Sequence, residues 1–157
     1  MAFFRIDRDA PLTVEEAWHR VTDWPAHGAG VPLTRVRVVT AGPTRVGSRF
    51  TARTGLGRLG FDDPMEVVRW EPPAPGEGPG RAAGLCRMEK RGRMIIGWAE
   101  ITVRETPAGT RVGWTEELRV RGLPRFCDGL LARAGRSVFG HTLAGLLAGG
   151  PSRGADG

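Results

Sequence analysis

The sequence predicts an α+β domain in which a curved antiparallel sheet of about seven strands wraps around a long C-terminal helix. Three observations predict it. Six consecutive segments with strand-like patterns are separated by Gly and Pro, two short helical segments follow the first strand, and the last long segment has helical apolar spacing. A sheet and a single amphipathic helix bury their apolar faces against each other, so this order of elements defines one core.

The N-terminal part of the chain begins with a strand and continues with two helical segments. Apolar and polar residues roughly alternate in FFRIDRD, which indicates a short strand. Thr13 followed by Glu16 forms a capping-box pattern and predicts a helix over about 13–21. Asp23 and Pro25 mark a second helix start, which the glycines at 28–30 end. We therefore expect two short helices separated by a break.

The middle of the chain changes to the period of a β-strand. The segments with this pattern are TRVRVVT, SRFTART, FDDPMEVVRW, AGLCRMEK, MIIGWAEITVRE and GTRVGWTEELRV. The intervals between them suit antiparallel hairpins rather than helical crossovers. The longest loop signal is EPPAPGEGPG at 71–80, which is too short for a domain linker.

The C-terminal segment LPRFCDGLLARAGRSVFGHTLAGLLAGG predicts one long helix with Pro124 near its start. The remaining PSRGADG has no apolar residue to pack except Ala155, and we expect it to be disordered. The predicted organisation is a single domain over 1–148 followed by a flexible tail over 149–157.

Composition and charge exclude several classes of protein. No apolar run reaches the roughly 20 residues of a membrane-spanning helix, and the N-terminus does not have the pattern of a signal peptide. The two cysteines form no close-spaced motif, which favours reduced thiols and a cytoplasmic location. The usage of basic residues, with Lys90 the only lysine, is typical of a bacterial genome rich in G and C.

The net charge of +6 raises the question of an anionic partner. The arginines alternate with other residues instead of clustering, so we do not expect nucleic-acid binding. A weak peripheral contact with anionic lipid surfaces stays open. The sequence does not define an oligomeric state.

The segments TVEEAWHRVTDWPAH, PMEVVRWEPP and KRGRMIIGWAEITVRETPAGTRVGWTEEL resemble the SRPBCC superfamily. This superfamily includes START lipid-transfer domains, polyketide cyclases and dehydratases, and birch-pollen-allergen-like proteins. The resemblance spans about residues 3–148 and implies the helix-grip fold, with a hydrophobic cavity between the sheet and the C-terminal helix. It carries over no catalytic signature, because members bind or transform very different ligands.

The C-terminal helix supplies the first candidate site residues. At 100° per residue, Leu130 and Ala134 share one face with His141, and Ser137 lies beside it. We expect this face to point into the cavity. His141 is then either a catalytic or ligand-binding group that exchanges protons near neutral pH, or a hydrogen-bonded histidine with a structural role.

The last strand supplies the second candidate. In RVGWTEELRV, Trp114 and Glu116 share one side by period two and are expected to face inward. Glu116 would then orient a ligand or transfer protons; alternatively, it pairs with an arginine or lies at the exposed end of the strand. Glu116 and His141 form the predicted catalytic pair, and Trp114 is predicted to line the cavity.

Two further residues are predicted ligand contacts. Asp63 lies on the face opposite to its neighbour Asp62, and it has either an inward position or a role at a turn or rim. Trp98 shares a face with Ile96 and Glu100, whose direction the sequence does not define.

Other motifs predict no chemistry. The match of GLGRLG at 55–60 to GxGxxG is followed by a strand pattern, so we interpret it as a hairpin turn. The histidines lack metal-ligand spacing, the pair Ser137 and His141 has no evident acid, and tyrosine is absent. We therefore predict no metal and no cofactor. The first functional hypothesis is a protein that binds an aromatic, polyketide-like or lipid-like molecule; the alternative is a cyclase or dehydratase.

Overall fold

The computed structural model describes residues 1–56, 58–74 and 83–149. The seven strands are β1 (Ala2–Ala10), β2 (Thr34–Val38), β3 (Arg49–Thr54), β4 (Phe61–Glu71), β5 (Ala83–Arg91), β6 (Ile95–Thr106) and β7 (Gly109–Val120). The helices are α1 (Val14–Val21), α2 (Trp24–His27) and α3 (Asp128–Ala148), with 3-10 turns at Gly28–Gly30 and Arg125–Cys127. The predicted tail from residue 150 onward lies outside the described residues.

The strands form one antiparallel sheet in the order β1-β7-β6-β5-β4-β3-β2. Each strand from β2 to β6 pairs with the strand that follows it in sequence, and β1 pairs with β7. The sheet curls into a half-barrel with α3 on its concave side. The predicted fold class is therefore confirmed.

The register defines two ends of the sheet. At one end lie the start of β2, the turns β3–β4 and β5–β6, the end of β7 and the beginning of α3. We call it the Phe126 end, after the exposed side chain just before α3. The opposite end carries α1, the β6–β7 turn and the end of β4, and we call it the Trp18 end.

Helix α1 begins where the capping pattern predicts. The Thr13 hydroxyl accepts a hydrogen bond from the Glu16 backbone N–H at 3.2 Å. The Glu16 carboxylate does not complete the box, because it pairs with Arg20 along the helix. The buried face of α1 places Trp18 against Trp70, with ring centroids 4.8 Å apart.

Helix α3 packs along β1, and this contact decides which of its faces is buried. Its first residue, Asp128, pairs with the Met1 ammonium at 2.9 Å, and the Phe139 ring stacks on Phe4 with centroids 5.7 Å apart. Gly135 is needed at the crossing, since a Cβ there would lie 2.5 Å from the Phe4 ring. Further along, Leu143 is fully buried.

The predicted inward face of α3 is wrong. Leu130 is 70% exposed, and Ala134, Ser137 and His141 are exposed as well. Apolar residues occur all around this helix, so periodicity does not single out one face. The packing on β1 selects the face of Leu131, Phe139 and Leu143 instead.

Candidate functional site

Three charged side chains meet in the interior on the concave face of the sheet. Lys90 Nζ donates a hydrogen bond to Asp63 Oδ2 at 2.7 Å and lies 3.1 Å from Glu116 Oε1. The side chain of Lys90 is 5% exposed, that of Asp63 9% and that of Glu116 1%. Charged residues are rarely buried to this degree, so the Asp63–Lys90–Glu116 cluster is the main candidate for a functional site.

Strand periodicity brings the cluster together. Lys90 follows Cys86 and Met88 on the buried side of β5, and Glu116 follows Trp114 on the buried side of β7. Asp63 is the buried member of its acidic pair because Asp62 points outward and binds Arg53. The cluster lies toward the Phe126 end, near the starts of β4 and β6.

The cluster has more acceptors than donors. Among the described residues, Asp63 Oδ1 accepts no hydrogen bond, and Glu116 Oε1 is ion-paired with Lys90 outside hydrogen-bonding geometry. The other oxygen, Glu116 Oε2, accepts from the Trp114 indole N–H at 3.1 Å. The site thus has two carboxyl groups for one ammonium group, and Asp63 Oδ1 is the oxygen available to a further donor.

Lys90 stays protonated. Burial alone would lower the pKa of its ammonium, but the charges of Glu116 and Asp63 outweigh this effect and raise the pKa above its usual value. Lys90 is therefore a fixed positive charge in this site and does not act as an amine nucleophile.

Aromatic rings form the apolar wall beside the cluster. The Trp114 ring packs on Phe139 of α3, with centroids 5.0 Å apart, and on His27, with centroids 5.4 Å apart. Trp24 stacks on Phe50 at 4.6 Å on the far side of His27. Trp114 thus joins the wall to the cluster through its hydrogen bond to Glu116.

His27 is held as a neutral imidazole in this wall. Its Nε2 lies 2.8 Å from the Val21 carbonyl oxygen, which assigns the proton to Nε2 and leaves Nδ1 as an acceptor. Burial lowers the pKa of His27 below its usual value, against smaller opposing effects of the Val21 hydrogen bond and Asp23. Protonation therefore disfavours the folded arrangement of this ring.

Three of the predicted site residues come together. Glu116 and Trp114 face inward as the period-two pattern predicts, and Glu116 pairs with the single lysine instead of an arginine. Asp63 has the inward position that the sequence left open. Their contribution to ligand binding stays a prediction.

The structure does not bring Glu116 and His141 together. Glu116 is buried in the cluster, whereas His141 lies on the exposed face of α3 and its Nδ1 is 3.3 Å from the Ser137 carbonyl oxygen. The predicted catalytic pair is therefore corrected. Ser137, Leu130 and Ala134 share the exposed face and do not line the interior.

Trp98 also lies outside the predicted cavity. The buried residues of β6 are Ala99, Ile101 and Val103, so Trp98 is on the outer face of the sheet. The Arg87 guanidinium lies over its ring, 3.9 Å from the centroid. Trp98 therefore forms a cation–π contact with Arg87 on the outer surface of the sheet.

Sequence reasoning missed Lys90 and His27. The signal for Lys90 was available, because Cys86, Met88 and Lys90 alternate with outward residues in a predicted strand. The signal for His27 was weak, since its position depends on the break between α1 and the turn at 28–30. The buried thiol of Cys86 is unreactive, because burial raises its pKa to about 12.

Two concavities lie elsewhere on the surface. One of about 380 Å³ is on the outer face of the sheet between Arg5, Glu100 and Arg111. The other, of about 480 Å³, lies beside α1 between Trp18, Trp70 and Pro73. Neither lies between α3 and the sheet, where Trp114, Phe139 and Phe4 are in contact.

Solved structures share this architecture, although no family model matches the sequence and no curated protein matches it significantly. A START superfamily protein from Mycobacterium smegmatis superposes with a TM-score of 0.68 at 11% identity, over 94% of this chain and 98% of that one. A STAR-related lipid transfer protein from Xanthomonas axonopodis gives 0.65 at 16% identity, over 93% and 84%.

The Zhui aromatase/cyclase from a Streptomyces species gives a TM-score of 0.63 at 11% identity, over 98% of both chains. Identities this low define the fold alone. The chain thus has the helix-grip fold that these solved structures share. No helix of the described ranges is long and apolar enough to cross a membrane.

Proposed function

We propose that the protein binds a hydrophobic small molecule on the concave face of the sheet, and that a cationic or hydrogen-bond-donating group of this molecule contacts the Asp63–Lys90–Glu116 cluster. The observation that carries the proposal is the buried oxygen Asp63 Oδ1, which accepts no hydrogen bond within the described part of the chain and lies in a cluster with the ion-paired Glu116. Unsatisfied buried acceptors cost free energy, and a ligand donor removes this cost.

The aromatic wall supports an apolar body for this ligand. Trp114 contacts the cluster, Phe139 packs on Trp114, and Met88 lies on the same side of β5 as Lys90; their rings and thioether suit aromatic or alkyl groups. A small number of polar groups in an apolar interior is the usual composition of a small-molecule site. The named START and lipid-transfer proteins of the same fold agree with this class of ligand.

Binding requires a conformational change. The rings of Trp114, Phe139 and Phe4 are in contact in this structure, so α3 moves away from β1 to admit a ligand. This movement would separate the Phe139 ring from Phe4 and Trp114, while the exposed outer face of α3 makes no contact with the described residues that opposes it.

Native mass spectrometry of protein purified from its own host tests whether a ligand is present. We expect an adduct that is released on denaturation and that contains an apolar body and an amine, hydroxyl or other donor. A bound molecule that has only acceptor groups would contradict the assigned role of the cluster.

Titration with matched alkyl compounds tests the assigned chemistry. Dodecylamine, dodecanol and dodecanoate share one apolar chain and differ in the terminal group, so calorimetry compares a cation, a neutral donor and an anion. We expect the amine to bind tightest and the carboxylate at least about tenfold more weakly, since each charged hydrogen bond is worth about 1.5–3 kcal/mol.

The variants Asp63→Asn and Glu116→Gln should reduce this preference, because each replaces a carboxyl group of the cluster by an amide. Glu117→Gln is the matched control, since Glu117 is the next residue of β7 and has the opposite orientation. Equal affinities for the three compounds in the parent protein would exclude the donor preference. Absence of binding by all three would contradict an alkyl ligand.

A cyclase- or dehydratase-type enzyme is the second candidate. It is favoured by the buried Glu116 carboxylate beside Trp114 and by the fold shared with an aromatase/cyclase. In such an enzyme Glu116 moves a proton while the interior excludes water. With a polyketone substrate, turnover should be lost in Glu116→Gln and kept in His141→Ala. Loss of turnover in His141→Ala would support the catalytic pair of Glu116 and His141 that the sequence predicts.

A further inference from the structure

The exposed apolar side chains are concentrated at one end of the molecule. Within the described residues, all large exposed hydrophobic side chains except Val38, Val39 and Val46 lie at the Phe126 end. The most exposed are Leu59 at 91%, Phe126 at 87% and Leu130 at 70%. They come from separate loops and from the first turn of α3, so the fold and not one sequence segment assembles them.

Unpaired arginines surround these apolar side chains. Arg58, Arg93, Arg121 and Arg125 are exposed in the loops of the same end, and none forms an ion pair within the described residues. Three of the nearby carboxylates have ion pairs, Asp62 with Arg53, Glu89 with Arg91 and Asp128 with the Met1 ammonium, whereas Glu117 has none within the described residues. The end therefore presents an excess of guanidinium groups around protruding apolar tips.

We propose that the Phe126 end docks on the surface of an anionic lipid bilayer. Leu59, Phe126 and Leu130 insert between headgroups, while the surrounding guanidinium groups bind lipid phosphates. Protruding single side chains in separate loops suit a deformable lipid surface. A second copy of this chain is a poor occupant, because it would bring two arginine-rich ends together.

The docked orientation brings the bilayer to the end nearest the charged cluster. Asp63 is two residues from Phe61 at the start of β4, and Lys90 is next to the last residue of β5. A ligand that leaves the bilayer then has a short path to the concave face. Docking itself does not depend on the proposed ligand, since it uses surface residues alone.

Vesicle flotation of the full chain tests the proposal. Vesicles contain either phosphatidylcholine alone or equal parts of phosphatidylcholine and phosphatidylglycerol. We expect flotation with the anionic vesicles only and a loss of binding as salt is raised, because exposed charge pairs are screened. Failure to float at low salt, or equal flotation with both vesicles, would overturn the proposal.

Matched double variants locate the surface. Leu59→Ser with Phe126→Ser should lower the vesicle affinity at least about tenfold, and Arg93→Glu with Arg121→Glu should abolish binding to anionic vesicles. The controls are Val39→Ser with Val46→Ser, and Arg37→Glu, which change exposed residues away from this end and should bind as the parent does. Equal binding by the apolar double variant and the parent would overturn the assignment.

Sedimentation of the parent separates lipid docking from self-association. A monomer is expected at all concentrations at which vesicles bind. A dimer that the substitutions at Leu59 and Phe126 dissociate would mean that a second copy covers this end, and it would overturn lipid docking. Binding of dodecylamine in the apolar double variant should be unchanged, so failure of docking and failure of the proposed ligand site are separate results.

Discussion

The two ends of the sheet differ in which groups they bury and which they expose. At the Trp18 end, Trp18 is 4% exposed against Trp70, and the Thr110 hydroxyl donates to the Leu12 carbonyl oxygen at 2.7 Å. At the Phe126 end, the chain buries three charges near strand ends and exposes Leu59 and Phe126. The first end follows the usual preferences of a folded chain, and the second departs from them twice.

This difference indicates where function is concentrated. A buried carboxylate oxygen without a donor and exposed apolar side chains both reduce stability in water, so their combination at one end requires a benefit other than folding. The proposed ligand would provide that benefit at the charged cluster, and the proposed lipid surface would provide it at the exposed apolar side chains. The Trp18 end then supplies the stability that the other end lacks.

The largest expected effect is at the charged cluster. Lys90→Met leaves Asp63 and Glu116 buried without their cation, and we expect the free energy of unfolding to fall by about 3–5 kcal/mol in urea denaturation. Arg91→Met, at the next residue, removes two surface ion pairs of a half-exposed arginine, with Glu89 and Glu66, and should cost less than about 1 kcal/mol. Equal losses in the two variants would show that the cluster does not behave as a buried ion pair.

A smaller effect is expected from overpacking the Trp18 end. A Cβ at Gly84 would lie 2.8 Å from both the Trp18 ring and Pro73, so Gly84→Ala should cost about 1–3 kcal/mol. Gly145→Ala is the control, because no atom lies within 4 Å of its added Cβ and alanine favours the helix by about 1 kcal/mol. Similar midpoints of Gly84→Ala and Gly145→Ala in thermal melts would mean that the Trp18 end is loosely packed.

The pH dependence of stability tests the burial of His27 in the aromatic wall. Burial lowers the pKa of His27 from its usual 6.5, so as the pH falls below that value the unfolded chain takes up a proton before the folded one. The free energy of unfolding should be highest above this range and decrease on acidification. Chemical denaturation between neutrality and the onset of carboxylate titration measures this slope.

His27→Phe should remove that slope and keep an aromatic ring between Trp24 and Trp114. His141→Gln is the control, because it replaces an exposed histidine of α3 that lies outside the aromatic wall. A slope that persists in His27→Phe would assign the titration to another group.

The smallest effect is expected at the exposed apolar side chains. Phe126→Ser removes a side chain that is 87% exposed. The free energy of unfolding, measured by urea denaturation, should change by no more than about 0.5 kcal/mol. A substantial loss of stability would show that Phe126 packs in solution, and it would remove the most exposed ring from the proposed docking surface.

Local patterns in the sequence determined most of the architecture. Period-two alternation predicted the strands, and the structure has a strand in each predicted segment. The Thr13 cap predicted the start of α1, and the strand pattern after GLGRLG correctly excluded a helix there. Inward orientation of Glu116 followed from Trp114 and Leu118 on the same side of one strand. These features depend on neighbours along the chain.

Contacts between distant segments decided the rest. The buried face of α3 depends on where β1 meets it, because apolar residues surround that helix, and Gly135 fits the Phe4 ring only in the assembled fold. The register of several strand pairs brings together Asp63, Lys90 and Glu116. The same register places Leu59 at the same end of the sheet as Phe126. The sequence by itself determined the elements and the face that each strand buries, since backbone geometry sets these locally. Only the tertiary structure decided which charges and apolar side chains meet, because their proximity results from long-range packing.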